Sequence, residues 1–225
     1  MTEINKNTFW TLIDQAKAEG RYNPSDSANW LAVQLAAMGP EQAKRFDTIA
    51  HVYMDAAYQY GLWTAASVME RHGCSDDGFI DFRGWLIGQG REVYMAALKD
   101  PDSLADAPPY QDFQFDDLAY MGRFAYEQLL GRDIYQDFSS DLYRTLTAEI
   151  TPDIVYGKGI GYPYTWSEAA AYLPRLCAKY LTPEELDRRI RLHNDTWNVS
   201  CPTIKLARAT ARQSKKIKKD RGDAR

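Results

Sequence analysis

At 225 residues, 45% of them hydrophobic and including 6 Trp, 15 Tyr and 8 Phe, the chain can bury one substantial core. It holds no apolar run of the roughly 18 residues a spanning helix needs, and MTEINKNTFW carries no signal segment, so a cytoplasmic protein is expected. The net charge of −4 conceals a division: nine Lys/Arg against two Asp put +7 on residues 205–225 and leave −11 on the 204 before them.

The first helix is predicted from a cap at Asn7 or Thr8, through Phe9, Leu12, Ile13 and Ala16, to a stop at Gly20. The turn cluster RYNPSDS precedes a second helix that starts at Ser27, turns Leu31, Leu35 and Met38 inward and stops at Gly39. Pro40 suits a first helical position, and a long helix follows with Phe46, Ile49, Ala50, Tyr53, Ala57 and Tyr60 on one side. Gly61 breaks or bends it. Leu62 to Arg71 forms the next helix, ended by His72-Gly73.

The stretch from Asp77 to Lys99 is the expected centre of the scaffold: one helix, capped by Asp76 or Asp77 and ended by Pro101. Phe79, Phe82, Leu86, Gly90, Val93 and Ala97 share its apolar stripe, and Arg83 falls inside that stripe with Tyr94 further along. A guanidinium keeps its charge, so an inward Arg must meet a carboxylate, carbonyls or a ligand anion.

Beyond a Pro108-Pro109 loop, Asp116 caps a helix through Leu130, with Leu118, Met121, Phe124 and Ala125 inward and Gly131 as its stop. Ile134 to Ile150 reads as a weaker helix. DIVYGKGIGYPYTW is a Gly, Tyr and Pro loop with room for a short hairpin. Ser167 opens a helix that Pro174 bends or restarts, ending near Tyr180. Thr182-Pro-Glu-Glu is a capping box ahead of a stripe of Leu186, Ile190, His193 and Trp197. With no period-2 pattern of useful length, the fold class is all-α, a multi-helix bundle. Its expected division is a helical domain over 1–181, a capped helix over 182–200 packing on it, and a basic tail over 201–225.

FWTLIDQA, FIDFRGWLIGQGREVYMAAL, DPDSLA, RFAYEQLLG and LPRLCAKY together resemble one bacterial domain-of-unknown-function family, DUF four-two-four-zero. The resemblance runs from about Thr8 to Tyr180, and Phe-x-x-Phe-Arg-x-Trp-Leu-Ile is its most specific piece. It implies a helical, soluble domain and assigns no activity; fusion of some members to regulatory proteins points toward regulation.

Arg83 with Tyr94 beside it can hold a phosphate, a carboxylate or a partner's acid; alternatively it pairs with a neighbouring helix's Glu70 or Glu127 and fixes packing. Gly157, Gly159 and Gly161 around Lys158 match no phosphate-loop spacing, so the segment reads as an aromatic-flanked loop over a cleft. The candidate ligand-binding set is therefore Arg83, Tyr94, Tyr156, Lys158 and Tyr162. Asp76, Asp77, Asp112, Asp116 and Asp117 read as helix-start acids, and Asp81 as a solvated one. His51, His72 and His193 fit no zinc spacing, and Cys74, Cys177 and Cys201 read as free thiols, so neither metal nor cofactor is expected. The leading function is a ligand- or protein-binding regulatory or interaction domain. The alternatives are a small enzyme or nucleotide-handling protein, with Asp81, Glu92 or His72 carrying protons, and nucleic-acid binding through Lys215, Lys216, Lys218 and Lys219.

Overall fold

The computed structural model describes residues 3–70, 73–107, 117–162 and 164–199, with side chains as far as Leu192. Among the described residues the fold is all-α, with no strand. Its helices are α1 Lys6–Glu19, α2 Pro24–Met38, α3 Pro40–Ala56, α4 Tyr60–Met69, α5 Asp76–Gly88 and α6 Arg91–Lys99. They continue as α7 Asp117–Leu130, α8 Ser140–Ile150, α9 Trp166–Tyr172, α10 Pro174–Tyr180 and α11 Pro183–Val199.

The hub is α3, against which α1, α2, α5, α7 and α8 all pack. Phe46, Ile49, Ala50 and Tyr53 give it a fully buried stripe at helical spacing, and Pro40 starts it as expected. The expected Asp77–Lys99 rod is instead two helices, α5 and α6, turned against each other at Gln89-Gly90. Gly90 sits at φ 98°, a conformation that side chains disfavour. A Cβ there would lie 2.9 Å from Asp14 Oδ1, because α1 crosses over the turn and Lys17 Nζ caps the carbonyl of Gln89 at 2.7 Å. Burial lowers the pKa of Lys17 and raises that of Asp14, the larger influence in each case.

Several boundaries shift for local reasons. Asn5, not Asn7 or Thr8, caps α1. Asn23 with Pro24 starts α2 ahead of Ser27. Ser75 caps α5 by accepting from Gly78 N at 3.1 Å, which leaves Asp76 and Asp77 in the first turn. The expected helix over Ile134–Ile150 is a 3₁₀ turn, Ile134–Asp137, followed by α8, because Ser139 caps a new start at Leu142 N.

Asp102 joins two of the segments quoted above. Nearly buried in the 3₁₀ turn Pro101–Ala105, it accepts from Arg175 N at 3.1 Å and Leu176 N at 2.9 Å, so DPDSLA supplies the N-terminal cap of the LPRLCAKY helix α10. Thr182 and Glu185 form reciprocal capping bonds at the start of α11, and the Arg189 guanidinium lies 4.6 Å from the Trp166 ring centre on α9. His72, Asp112, Asp116, the His193 and Trp197 side chains, Cys201 and the tail with Lys215, Lys216, Lys218 and Lys219 lie outside the described residues.

Candidate functional site

A helix leaves its last four carbonyls short of intrahelical partners, and α3 is capped at Ala57 with no glycine to wrap them. Ala57 N reaches Tyr53 O and Tyr58 N reaches Asp55 O, and residues remote in sequence complete the end. Arg83, 7% exposed, donates from Nη1 to Met54 O at 2.9 Å and from Nε to Phe79 O at 3.2 Å. Its guanidinium also faces the Tyr58 ring at 5.0 Å. Tyr94, fully buried, donates to Tyr53 O at 2.5 Å, and Tyr156 donates to Ala56 O at 3.1 Å. Three of the five predicted site residues thus converge on one helix C-terminus, where a cation also suits the helix dipole. Burial lowers the Arg83 pKa, and Asp55 nearby opposes that. Glu127 serves Arg123 at 2.9 Å rather than Arg83, while Glu70 lies beside Cys74, whose thiol burial chiefly, and Glu70 next, push up to about 12. Such a thiol is a poor nucleophile near neutral pH.

Lys158 and Tyr162 lie further along the loop, away from that cluster. Tyr172 donates to Lys158 O at 2.9 Å, and the Tyr162 ring stacks on Tyr60 at 5.2 Å. Lys158 borders an open cleft of about 590 Å³ together with Lys99, Asp100 and Tyr172. Asp81 and Glu92 are exposed.

A less open pocket, about 310 Å³, runs along another face of α3. Lys44, Asp47, Thr48, His51 and Asp55 of α3 form its floor at three- and four-residue spacing. Ile134, Tyr135 and Phe138 wall it from the turn after α7, and Tyr143 from α8. His51 Nδ1 is 3.2 Å from Asp47 Oδ2 and 2.9 Å from Asp47 O, which assigns the proton to Nδ1 and turns Nε2 toward Tyr135 OH at 3.4 Å. The Asp47 bond raises the His51 pKa, with burial working against it. Tyr143 donates to Asp55 Oδ2 at 2.5 Å, and burial, then Asp55, push its hydroxyl up to about 12, so it stays a donor. Asp47 Oδ1 is buried and has no hydrogen-bond partner.

A close helix crossing holds Asp47 in place. At Gly122, α7 comes so near α3 that a Cβ would sit 2.6 Å from Asp47 N and 2.7 Å from Ala43 O. Spacing rules for zinc ligands passed over His51. The available signal was a polar stripe, Lys44, Thr48, His51 and Asp55, along a helix whose opposite side is fully apolar. Among the described residues no group of three or more His, Cys, Asp or Glu could hold a metal ion.

The family described as "Protein of unknown function (DUF4240)" matches residues 4–128. The chain belongs to the DUF4240 family. The DUF4240 match takes in α1 to α6 and most of α7, and with them the pocket floor, Arg83 and Tyr94. Tyr135, Tyr143, Tyr156, Lys158 and Tyr162 lie beyond it, so the DUF4240 segment meets later residues both at the end of α3 and in the pocket. No curated protein and no solved structure matches the chain. No helix among the described residues is long and apolar enough to cross a membrane.

Proposed function

We propose that this DUF4240 chain is a small-molecule-binding regulatory domain whose ligand occupies the pocket beside α3. One observation carries the reading: a half-open pocket of about 310 Å³ sets an ionisable floor of Lys44, Asp47, His51 and Asp55 against an aromatic wall. Binding sites are commonly mostly apolar, with a few convergent polar groups that orient the ligand. Arg83, Tyr94 and Tyr156 act in this reading as positioning residues that hold the end of α3, and with it Asp55. Lys158 and Tyr162 mark the open cleft as a secondary contact region.

A second reading, a small enzyme, has one observation in its favour. With Nδ1 donating to Asp47, His51 Nε2 is left as a proton acceptor facing a hydroxyl, the arrangement of a general base.

Thermal-shift screening of amines, carboxylates, nucleotides and phosphosugars, followed by NMR mapping of each hit, tests the pocket. A ligand at a hundred times its dissociation constant stabilises by about 2.7 kcal/mol, a readily measured shift. Hits that move His51, Tyr135 and Tyr143 resonances support the reading. Hits confined to the Lys158 cleft, or a screen with no hit, overturn it.

A further inference from the structure

We infer that the open cleft beside α9 binds the phosphate group of a small phosphomonoester, held between Lys99, Lys158 and the free peptide N–H groups of residues 158–161. The inference deepens the reading of that cleft as a contact region and needs no ligand beside α3.

The loop that borders the cleft is anchored along its length. Tyr156 donates to Ala56 O at 3.1 Å, Gly157 N to Leu98 O at 3.4 Å and Tyr172 to Lys158 O at 2.9 Å, and the Tyr162 ring stacks on Tyr60. At Gly157 the loop lies so close to the end of α6 that a Cβ would sit 1.8 Å from Lys99 O. That contact sets Lys99 beside the loop, so two exposed lysines from distant parts of the sequence border one cleft.

Between the anchors the loop's own donors are left open. Among the described residues, the peptide N–H groups of Lys158, Gly159, Ile160 and Gly161 meet no acceptor, and neither Lys99 nor Lys158 makes a hydrogen bond or ion pair through its ammonium group. A Cβ on Gly159 or Gly161 would meet nothing within 4 Å, so the loop is uncovered at both positions.

Two acids also border the cleft, and both are engaged at helix starts. Asp100 accepts from Asp102 N at 3.1 Å, and Glu168 Oε2 accepts from Thr165 N at 2.7 Å and from Thr165 Oγ1 at 2.9 Å. Each carboxylate thus answers the partial positive charge of a helical N-terminus, which leaves the two ammonium groups without a carboxylate partner. A phosphomonoester near neutral pH carries about two negative charges and three strong acceptor oxygens, which suits two point cations and a run of N–H donors. A carboxylate brings one charge and two oxygens to the same donors. Pro101, Ile160 and Tyr172 give the cleft an apolar side for the ester's organic body.

The test titrates the isotope-labelled full chain near neutral pH, in buffer free of phosphate, with phenyl phosphate and with benzoate, read by NMR at the Gly159 and Gly161 amides. Phenyl phosphate is expected to move both amides and to bind about ten-fold more tightly than benzoate. Lys99→Gln and Lys158→Gln, both at exposed positions, should each weaken it about three-fold, the size of a solvent-exposed charge pair, and leave the unfolding midpoint in place. Amides that do not move, benzoate binding as tightly as phenyl phosphate, or an affinity unchanged in both lysine variants overturns the inference. Phenyl phosphate that moves His51 and Tyr135 while the loop amides stay still overturns it too. None of these outcomes decides the pocket beside α3, which stands or falls by its own screen.

Discussion

Arg83 Nη1 donates to the main-chain oxygen of Met54 at 2.9 Å, across 29 residues of sequence and into the last turn of α3. That bond places a permanent cation at the negative end of the hub helix, where Tyr94 and Tyr156 complete the set. The inward Arg is thus satisfied by carbonyls, one of the three partners its position on an apolar stripe demanded. Its neighbour Asp55 faces the pocket, which couples the packing of α5 to the floor of the candidate site.

Arg83→Met removes the donors while keeping much of the side-chain volume, and strands a buried carbonyl. Urea unfolding should show a loss of about 3 kcal/mol, the size set by charged hydrogen bonds and an orphaned acceptor. Arg83→Lys should lose an intermediate amount, because an ammonium does not reproduce the guanidinium fork. A loss for Arg83→Met below about 0.5 kcal/mol, the ordinary scatter of surface changes, would show the bonds to be idle.

Gly122→Ala should be costly for a different reason. The new methyl meets main-chain atoms of Ala43 and Asp47 at 2.7 and 2.6 Å, and backbone cannot rotate away as a flexible side chain can. Helix α7 must back off α3, at a cost of about 1–3 kcal/mol or more. The shift should also loosen the Asp47–His51 pair, so the His51 pKa, followed by NMR, should move back toward its ordinary 6.5. A variant of native stability with an unchanged His51 titration would mean the crossing is not as close as described.

Stability should depend on pH through His51. Its folded-state pKa is raised above the ordinary 6.5, chiefly by the Asp47 bond, so the folded protein binds the proton more tightly than the unfolded chain. The contribution is then fully present below the unfolded value and lost as pH rises through the folded one. Groups facing the ring are Asp47, Asp55 and Lys44 from α3 and Tyr135 from the turn after α7. His51→Gln should flatten this part of the stability–pH curve between about pH 6 and 8, the span where histidine titrates. An equal slope in parent and variant would assign it elsewhere.

The helices themselves were legible in the sequence. Gly20, Gly39 with Pro40, Gly131, Pro174 and the Thr182–Glu185 capping box mark starts and stops where the structure has them. The break at Gly90 was not legible, because a lone glycine inside an apolar stripe is compatible with a continuing helix. Its positive φ is held by α1, which brings Asp14 and Lys17 to the turn from some 70 residues away. His51 fits no metal-ligand spacing, and its role depends on walls brought from Tyr135 and Tyr143.

By itself the sequence determined the all-α class, most helix termini, DUF4240 membership and the inward turn of Arg83. The class, the termini and the turn of Arg83 depend on caps and on side chains within three or four positions along one helix, so they are written locally, and the family is carried by the sequence over residues 4–128. Only the tertiary structure decided what Arg83 meets, and that α3 carries the pocket. The bonds at the end of α3 and across its face join residues 29, 41, 88 and 100 positions apart. Such distances close only when helices pack, and packing geometry is set by all the contacting surfaces at once.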